Sequence, residues 1–430
     1  LKINAILFIS IFFIIYGPVL DTSLGEVVDL SFFTCIVLML FGALRKSVVF
    51  SNRFIYQLVI FLLIIMALCL ANAVLLDTYG VQYALRPILR PVRVIPVIFG
   101  IAVLCHYVIH ENPRFSMYSF VYIIYLAILL HALIMTIQFF NVDFRNFIYQ
   151  YTTAKYVLEI YQATRMAGLT GAGGAQLSIV QSCGLILGVF LFVQTNSSSQ
   201  KFIVFLTFPL IILSVFMAGR SGFITAFLFC PLYLIYLSAL ISLKRAVVTS
   251  MGVLVSLLAT FSLLWFLFYD ILSQNVSFVS AFQRIFDSFI AYNQGEGVKV
   301  NTVSRLSEMF IIPDESLHLL FGKASYLNNN TTYDIDTDIG YFRLLWGYGI
   351  LGSIFHYLFY IFAITKIICC SYLSKAEKSL PIILLFLILF FNSKEILVFS
   401  RINFQITMLV LFFAFFINWS RKSNYGTHVS

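Results

Sequence analysis

Charge is what this sequence has least of. Only 10% of its 430 residues are Asp, Glu, Lys or Arg, against 61% hydrophobic and a mean hydropathy of +0.97. A water-soluble core of this length does not need such a balance, whereas a bilayer solvent requires it. Cys35, Cys69, Cys105, Cys183, Cys230, Cys369 and Cys370 fall within predicted helices or at their inner ends, and no C-x-x-C spacing occurs. That argues against disulfides and a structural zinc site. The six histidines include no H-E-x-x-H, and no G-x-x-x-x-G-K-[ST] is present, which leaves a metalloprotease or an ATP-driven pump without support. No internal repeat is visible, so an inverted-repeat transporter has little basis. The first apolar run begins with Lys2 and lacks a following A-x-A-type cleavage site, so it reads as a retained span rather than a signal peptide.

What the chain has is long apolar runs. Crossing a hydrocarbon core of about 30 Å takes about 20 helical residues. The expected architecture is an all-α polytopic membrane protein, one integral membrane domain over 1–430 with about twelve spans. These are Ile3–Leu20, Val27–Leu44, Phe54–Leu76, Val92–Ile109, Phe115–Phe140, Ala175–Gln194, Phe202–Ala218, Phe223–Leu243, Ala246–Leu272, Ile339–Ile364, Leu380–Phe399 and Phe404–Trp419. Proline and glycine within them do not argue against helix, because membrane helices tolerate both.

Basic residues fall on alternate connections: Arg45, Lys46 and Arg53; Arg114; Lys201; Lys244 and Arg245; Lys366, Lys375 and Lys378; Arg421 and Lys422. With Lys2 they mark one side as cytoplasmic and place both termini there. That side carries about +11 and the other about −2, which together make the formal +9. The basicity is thus mostly topological, and no nucleic-acid partner is expected. Two outer segments, 141–174 and 273–338, are much longer than a turn, and long loops on a short-looped scaffold usually carry function.

The outer side should be poor in bases, yet it holds Arg86, Arg90, Arg93, Arg145, Arg165, Arg220, Arg284, Arg305, Arg343 and Arg401. A guanidinium is a permanently charged planar fork that matches phosphate. As a group these arginines point to an anionic substrate; singly, each has an alternative partner among the outer acids. Arg220, in FMAGRSGFIT, is the only charged side chain from Phe202 to Leu243 and lies in a hairpin turn between Gly219 and Gly222. A charge at membrane depth costs about 2.5 kcal/mol or more and marks a functional site by default, although an arginine at a helix end also snorkels. In ALRPILRPVRVIP, Arg86, Arg90 and Arg93 have near-helical spacing, but Pro87, Pro91 and Pro96 count against a helix there. In TRMAGLTGAGGAQLS, Arg165 precedes Gly168, Gly171, Gly173 and Gly174 and then a helix start, a pattern suited to an anion and equally to a flexible entry.

Before the tenth span, Arg305 and Glu308 are placed as a helical ion pair or as ligand contacts. Asp314, Glu315 and His318 offer a base. Asp334, Asp336 and Asp338 precede the next helix, where an acid also serves as a cap. A divalent cation among these aspartates and Asn328, Asn329 and Asn330 has no EF-hand spacing behind it, so no metal or other cofactor is expected.

The span layout, the long loop before the tenth span, the MAGRSG turn and DTDIGYFRLLWGYGILG opening the following helix together resemble the bacterial O-antigen polymerase (Wzy-type) family, which is related to the O-antigen ligases. The resemblance implies a GT-C-like architecture in the bacterial inner membrane. It also implies a metal-independent glycosyltransferase activity: a growing glycan moves from undecaprenyl pyrophosphate to another carrier-linked repeat unit at the outer face. Membrane lipids, a flippase and a chain-length regulator are implied as partners. In the ligases an outer-loop His is followed closely by Asn; here His318 is followed by LLFGK and Asp338 by Ile-Gly, a departure that favours polymerase. A ligase acting on lipid A core and a non-enzymatic lipid-glycan flippase or transporter are the alternatives. On this reading Arg220, Arg165 and Arg305 hold pyrophosphate, with Arg284 and Arg343 secondary. Asp338, His318 and Glu308 are candidates for proton transfer, and Arg220 also stabilises the leaving charge.

Overall fold

The computed structural model describes residues 2–22, 25–76, 86–156, 165–171, 174–195, 197–219, 221–241, 262, 309–313, 315–323 and 337–426. The predicted span Ala246–Leu272 lies outside them apart from Ser262, as does most of 273–338. The described residues form two compact units, the first drawn from Leu1–Phe33, Phe115–Gly295 and Ser374–Leu380, the second from Thr34–Arg114, Glu296–Leu373 and Pro381–Ser430.

In the first unit, α1 (Lys2–Tyr16) leads into a short antiparallel hairpin of β1 (Val19–Thr22) and β2 (Gly25–Asp29), paired Val19 to Asp29 with a bulge after Leu20. This is a departure from the all-α expectation, in which the first span ran through to Leu20. The hairpin is fastened from outside: Thr153 N–H donates to Val19 O at 3.0 Å, and Lys155 pairs with Asp21. Next come α5 (Met117–Phe140), the short α6 (Val142–Tyr151), α7 (Ala175–Gln194), α8 (Ser198–Ala218) and α9 (Gly222–Ala239). The segment 141–174 is thus not all loop. Asn141 accepts from Phe144 N–H at 2.9 Å and so caps α6, as an Asn N-cap does.

The centre of this unit is α7. Every residue from Leu177 to Leu191 is buried, and a helix buried on every side belongs inside a bundle. It packs on α5, α8 and α9, while α1 packs on α5. Within α9 the backbone is π-helical over Thr225–Phe229.

The second unit contains most of α2 (Leu30–Leu44) together with α3 (Arg53–Leu76), α4 (Arg86–Glu111), the short α10 (Ser316–Phe321), α11 (Gly340–Ile368), most of α12 (Lys375–Phe391) and α13 (Arg401–Gly426). Here α4 packs between α3 and α13, and α11 packs on α3 and α13. The prolines that counted against a helix at Arg86 do not prevent one: α4 runs through Pro91 and Pro96. Pro87 stands in the first turn, where an N–H has no helical partner to lose, and neighbouring helices accommodate the others. The eleventh span was expected to reach Phe399, but α12 stops at Phe391. Asn392 Oδ1 then accepts from Leu397 N–H at 3.1 Å, turning the chain so that Ile396–Ser400 is buried.

Among the described residues, eight helices are long and apolar enough to cross a membrane: α3, α4, α5, α7, α8, α9, α11 and α13. The helices α1, α2 and α12 are shorter, at 15, 15 and 17 residues. The chain is therefore a membrane-embedded, predominantly helical protein.

Candidate functional site

The glycine-rich loop after Arg165 is tied down along its backbone. Met166 N–H donates to Met217 O at 3.0 Å, and Ala167 N–H to the Tyr149 hydroxyl oxygen at 3.0 Å. Gln138 Nε2 donates to Gly168 O at 3.0 Å, and Leu169 N–H to His131 Nε2 at 3.2 Å. The Thr170 hydroxyl closes the turn on Ala167 O. A loop whose amides and carbonyls are satisfied by fixed partners keeps one shape. Arg165, at its start, is half-buried. Burial pushes the Tyr149 phenol up from its ordinary range, while the Ala167 N–H and the Arg145 charge pull in the opposite direction.

The turn containing Arg220 is fastened to the same place. Arg220 itself lies outside the described residues, but its neighbours on both sides are described. One hydroxyl brackets the turn: Ser178 Oγ donates to Gly219 O at 2.7 Å and accepts from Gly222 N–H at 2.9 Å. A Cβ at Gly222 would come within 2.3 Å of Ser178 O, and one at Gly219 within 3.0 Å of Gly174 O. The glycines flanking Arg220 therefore let the turn lie against the first turn of α7. With Met166 bonded to Met217, the Arg165 loop and the Arg220 turn form one braced structure at the start of α7 and α9. Gly174, the N-cap of α7, offers no side-chain cap, so the positive end of that helix adds to the same region.

The other described candidates belong to the second unit. Arg343 Nη2 donates to Asp338 Oδ1 at 3.2 Å, and Arg343 Nε donates to Thr337 O. Of the two readings of Asp338, cap and base, the cap is not seen: its carboxylate meets Arg343, and the Ile339 N-cap of α11 has no side-chain cap bond. The physical reason is reach: Arg343 lies one helical turn on and offers a charged donor, a stronger partner than a backbone N–H. His318 is buried in α10, with Glu315 Oε2 2.8 Å from its Nδ1. Arg90 lies within electrostatic reach of Arg343 and Arg93, and also of Tyr348 and Tyr360. The helical course of α4 thus brings Arg90 within reach of Arg343.

A break in α11 shapes this second cluster. Gly349 has φ +67 and ψ −174, and a Cβ there would meet Leu320 O at 2.3 Å. The tip of α10 fits into the break: Lys323 N–H donates to Trp346 O at 2.6 Å, and Asn72 Nδ2 donates to Phe321 O and Gly322 O at 3.0 Å. Trp346 Nε1 donates in turn to Ile311 O at 2.7 Å.

Arg284, Arg305 and Glu308 lie outside the described residues, as do Asp314, Asp334, Asp336 and Asn328–Asn330. Among the described residues, no three His, Cys, Asp or Glu side chains gather as a metal-binding group, and the seven cysteines are free. The sequence reading missed His131, Gln138, Tyr149 and Ser178. A signal existed in the first pair: His131 and Gln138 are seven residues apart in a mostly apolar helix, so they share a face. Compared with protein-family models, curated proteins and solved structures, the chain matches none.

Proposed function

We propose that this chain is a glycosyltransferase of the bacterial inner membrane that polymerises lipid-linked repeat units into O-antigen or a related surface polysaccharide. On this reading it has about twelve spans in a GT-C-like arrangement, both termini are cytoplasmic, and the chemistry takes place at the outer face. The observation that carries the reading is the bracing of the Arg165 loop against the turn that contains Arg220. Two arginine-bearing segments held to one another beside a helix N-terminus suit a diphosphate, which offers two adjacent anionic groups.

The chemistry follows from the leaving group. The acceptor sugar's hydroxyl oxygen forms a bond to the anomeric carbon of the growing chain, and the bond from that carbon to the diphosphate oxygen breaks. The diphosphate leaves with the electron pair, and Arg165 and Arg220, with Arg305 and Arg284, stabilise its charge. Preorganised donors of this kind are commonly the largest catalytic contribution. The hydroxyl proton passes to a base, for which Asp338, His318 and Glu308 are the candidates. Arg343, which pairs with Asp338, remains a secondary candidate for the diphosphate. No metal is needed in the scheme.

The test is the surface polysaccharide of the source bacterium after deletion of the gene. Core bearing a single repeat unit supports the polymerase. Bare core with long lipid-linked chains accumulating makes the protein the ligase, and bare core without them makes it an exporter of the repeat unit.

A further inference from the structure

His131 is fully buried in α5, and no step of the proposed reaction uses it. An imidazole there is costly unless its nitrogens are satisfied. Its ring stacks on Tyr16 of α1, with centroids 3.9 Å apart and planes at 8°. Nε2 accepts from Leu169 N–H at 3.2 Å, so Nε2 holds the lone pair and a neutral ring carries its proton on Nδ1. The Gln181 amide of α7 lies against Nδ1. Its oxygen is otherwise a buried acceptor without a partner, and turned to Nδ1 it takes that proton. Gln181 therefore fixes the tautomer, and the tautomer fixes what the imidazole can do: accept from the loop.

The loop is folded directly onto the ring. Gly168 has φ +63, and a Cβ on it would stand 2.1 Å from His131 Nε2. No other residue type combines that backbone conformation with that approach. Gln138, two turns further along α5, holds Gly168 O from the other side. The loop conformation after Arg165 is thus set jointly by the loop's own Gly168 and by side chains from the bundle interior, His131 foremost.

We propose that His131 is a positioning residue for the diphosphate site, its Nε2 lone pair holding the glycine-rich loop in the shape that presents Arg165. The inference rests on the functional reading above, and its test separates the two. Undecaprenyl diphosphate is titrated into the purified full chain in lipid nanodiscs, with wild type, Arg165→Ala, His131→Phe, His131→Gln and the double variant His131→Phe/Arg165→Ala. Phenylalanine keeps the stack on Tyr16 and removes the acceptor; glutamine returns an acceptor oxygen at similar reach.

The expected result is binding about five- to tenfold weaker for His131→Phe, the scale of one hydrogen bond. His131→Gln binds close to wild type, and the double variant binds no more weakly than Arg165→Ala alone, because His131 acts through Arg165. A purely structural role would instead add its loss to that of Arg165→Ala, and additive losses overturn the proposal. So does wild-type affinity in His131→Phe while Arg165→Ala is weakened. Equal binding by wild type and Arg165→Ala overturns the functional reading itself, and this inference with it. If His131→Phe does not fold, comparison of His131→Gln with His131→Leu reads the same acceptor, and equal affinities there overturn the proposal.

Discussion

The amide of Met166 donates to the carbonyl of Met217 across 3.0 Å, so the residue that follows Arg165 is bonded to a residue three positions before Arg220. Sequence separation of more than fifty residues is closed by that bond, and an arginine lies within three positions of each side of it in sequence. Several expectations come from this joint and from the cluster in the second unit.

Arg220→Ala and Arg220→Lys should each abolish chain elongation while leaving the protein in the membrane. A lysine keeps the charge but loses the planar fork, so the loss expected is at least about 100-fold in either variant. Polysaccharide banding together with membrane-fraction immunoblots checks this; normal long chains in either variant remove Arg220 from the site.

Ser178→Ala should loosen the turn without touching a charged group. It leaves Gly219 O and Gly222 N–H without the hydroxyl that bridges them, a cost of about 1–3 kcal/mol for buried groups left unpaired. Thermal melting in detergent should fall, and activity should fall further than stability alone accounts for, since the turn carries Arg220. An unchanged melting curve would mean that water replaces the hydroxyl there.

Gly168→Ala meets both a positive φ and the His131 ring. The backbone conformation alone costs about 1–3 kcal/mol. Removing the ring relieves the contact, so Gly168→Ala should cost less in a His131→Ala background than in wild type. The stability difference between those two backgrounds is the measurement, and equal costs would show that the contact contributes nothing.

Asp338→Asn separates stability from chemistry. The Asp338 carboxylate is mostly exposed, and Arg343 keeps its bond to Thr337 O, so loss of the pair should cost less than about 1 kcal/mol. If Asp338 takes the acceptor proton, elongation falls about 100- to 10,000-fold at an unchanged melting temperature. Activity close to wild type assigns proton transfer to another group.

Much of the helical framework is legible because composition alone drives it. The helix Ala175–Gln194 begins and ends where the sequence places it, between a glycine run and Thr195. The body of α4 was legible as the span Val92–Ile109, but its start at Arg86 was not, because Pro87 and Pro91 read as breakers in isolation, and Pro91 becomes tolerable only against α3 and α13. The end of α12 was hidden for a different reason. The residues Ile396 to Phe399 are as apolar as a span, yet they are buried as a turn held by Asn392. In the site, the arginines stand out as charges in an apolar text, whereas His131 and Ser178 act through backbone atoms that no sequence displays.

The complete burial of α7 from Leu177 to Leu191 has an implication for how this protein experiences its surroundings. Both arginine-bearing segments are anchored at the head of a rod with no face turned to the acyl chains along that stretch. Changes in bilayer thickness or lipid mixture therefore reach the anchor only by first displacing the helices around it. The part of the molecule that must hold its shape is insulated from the solvent in which the molecule is dissolved.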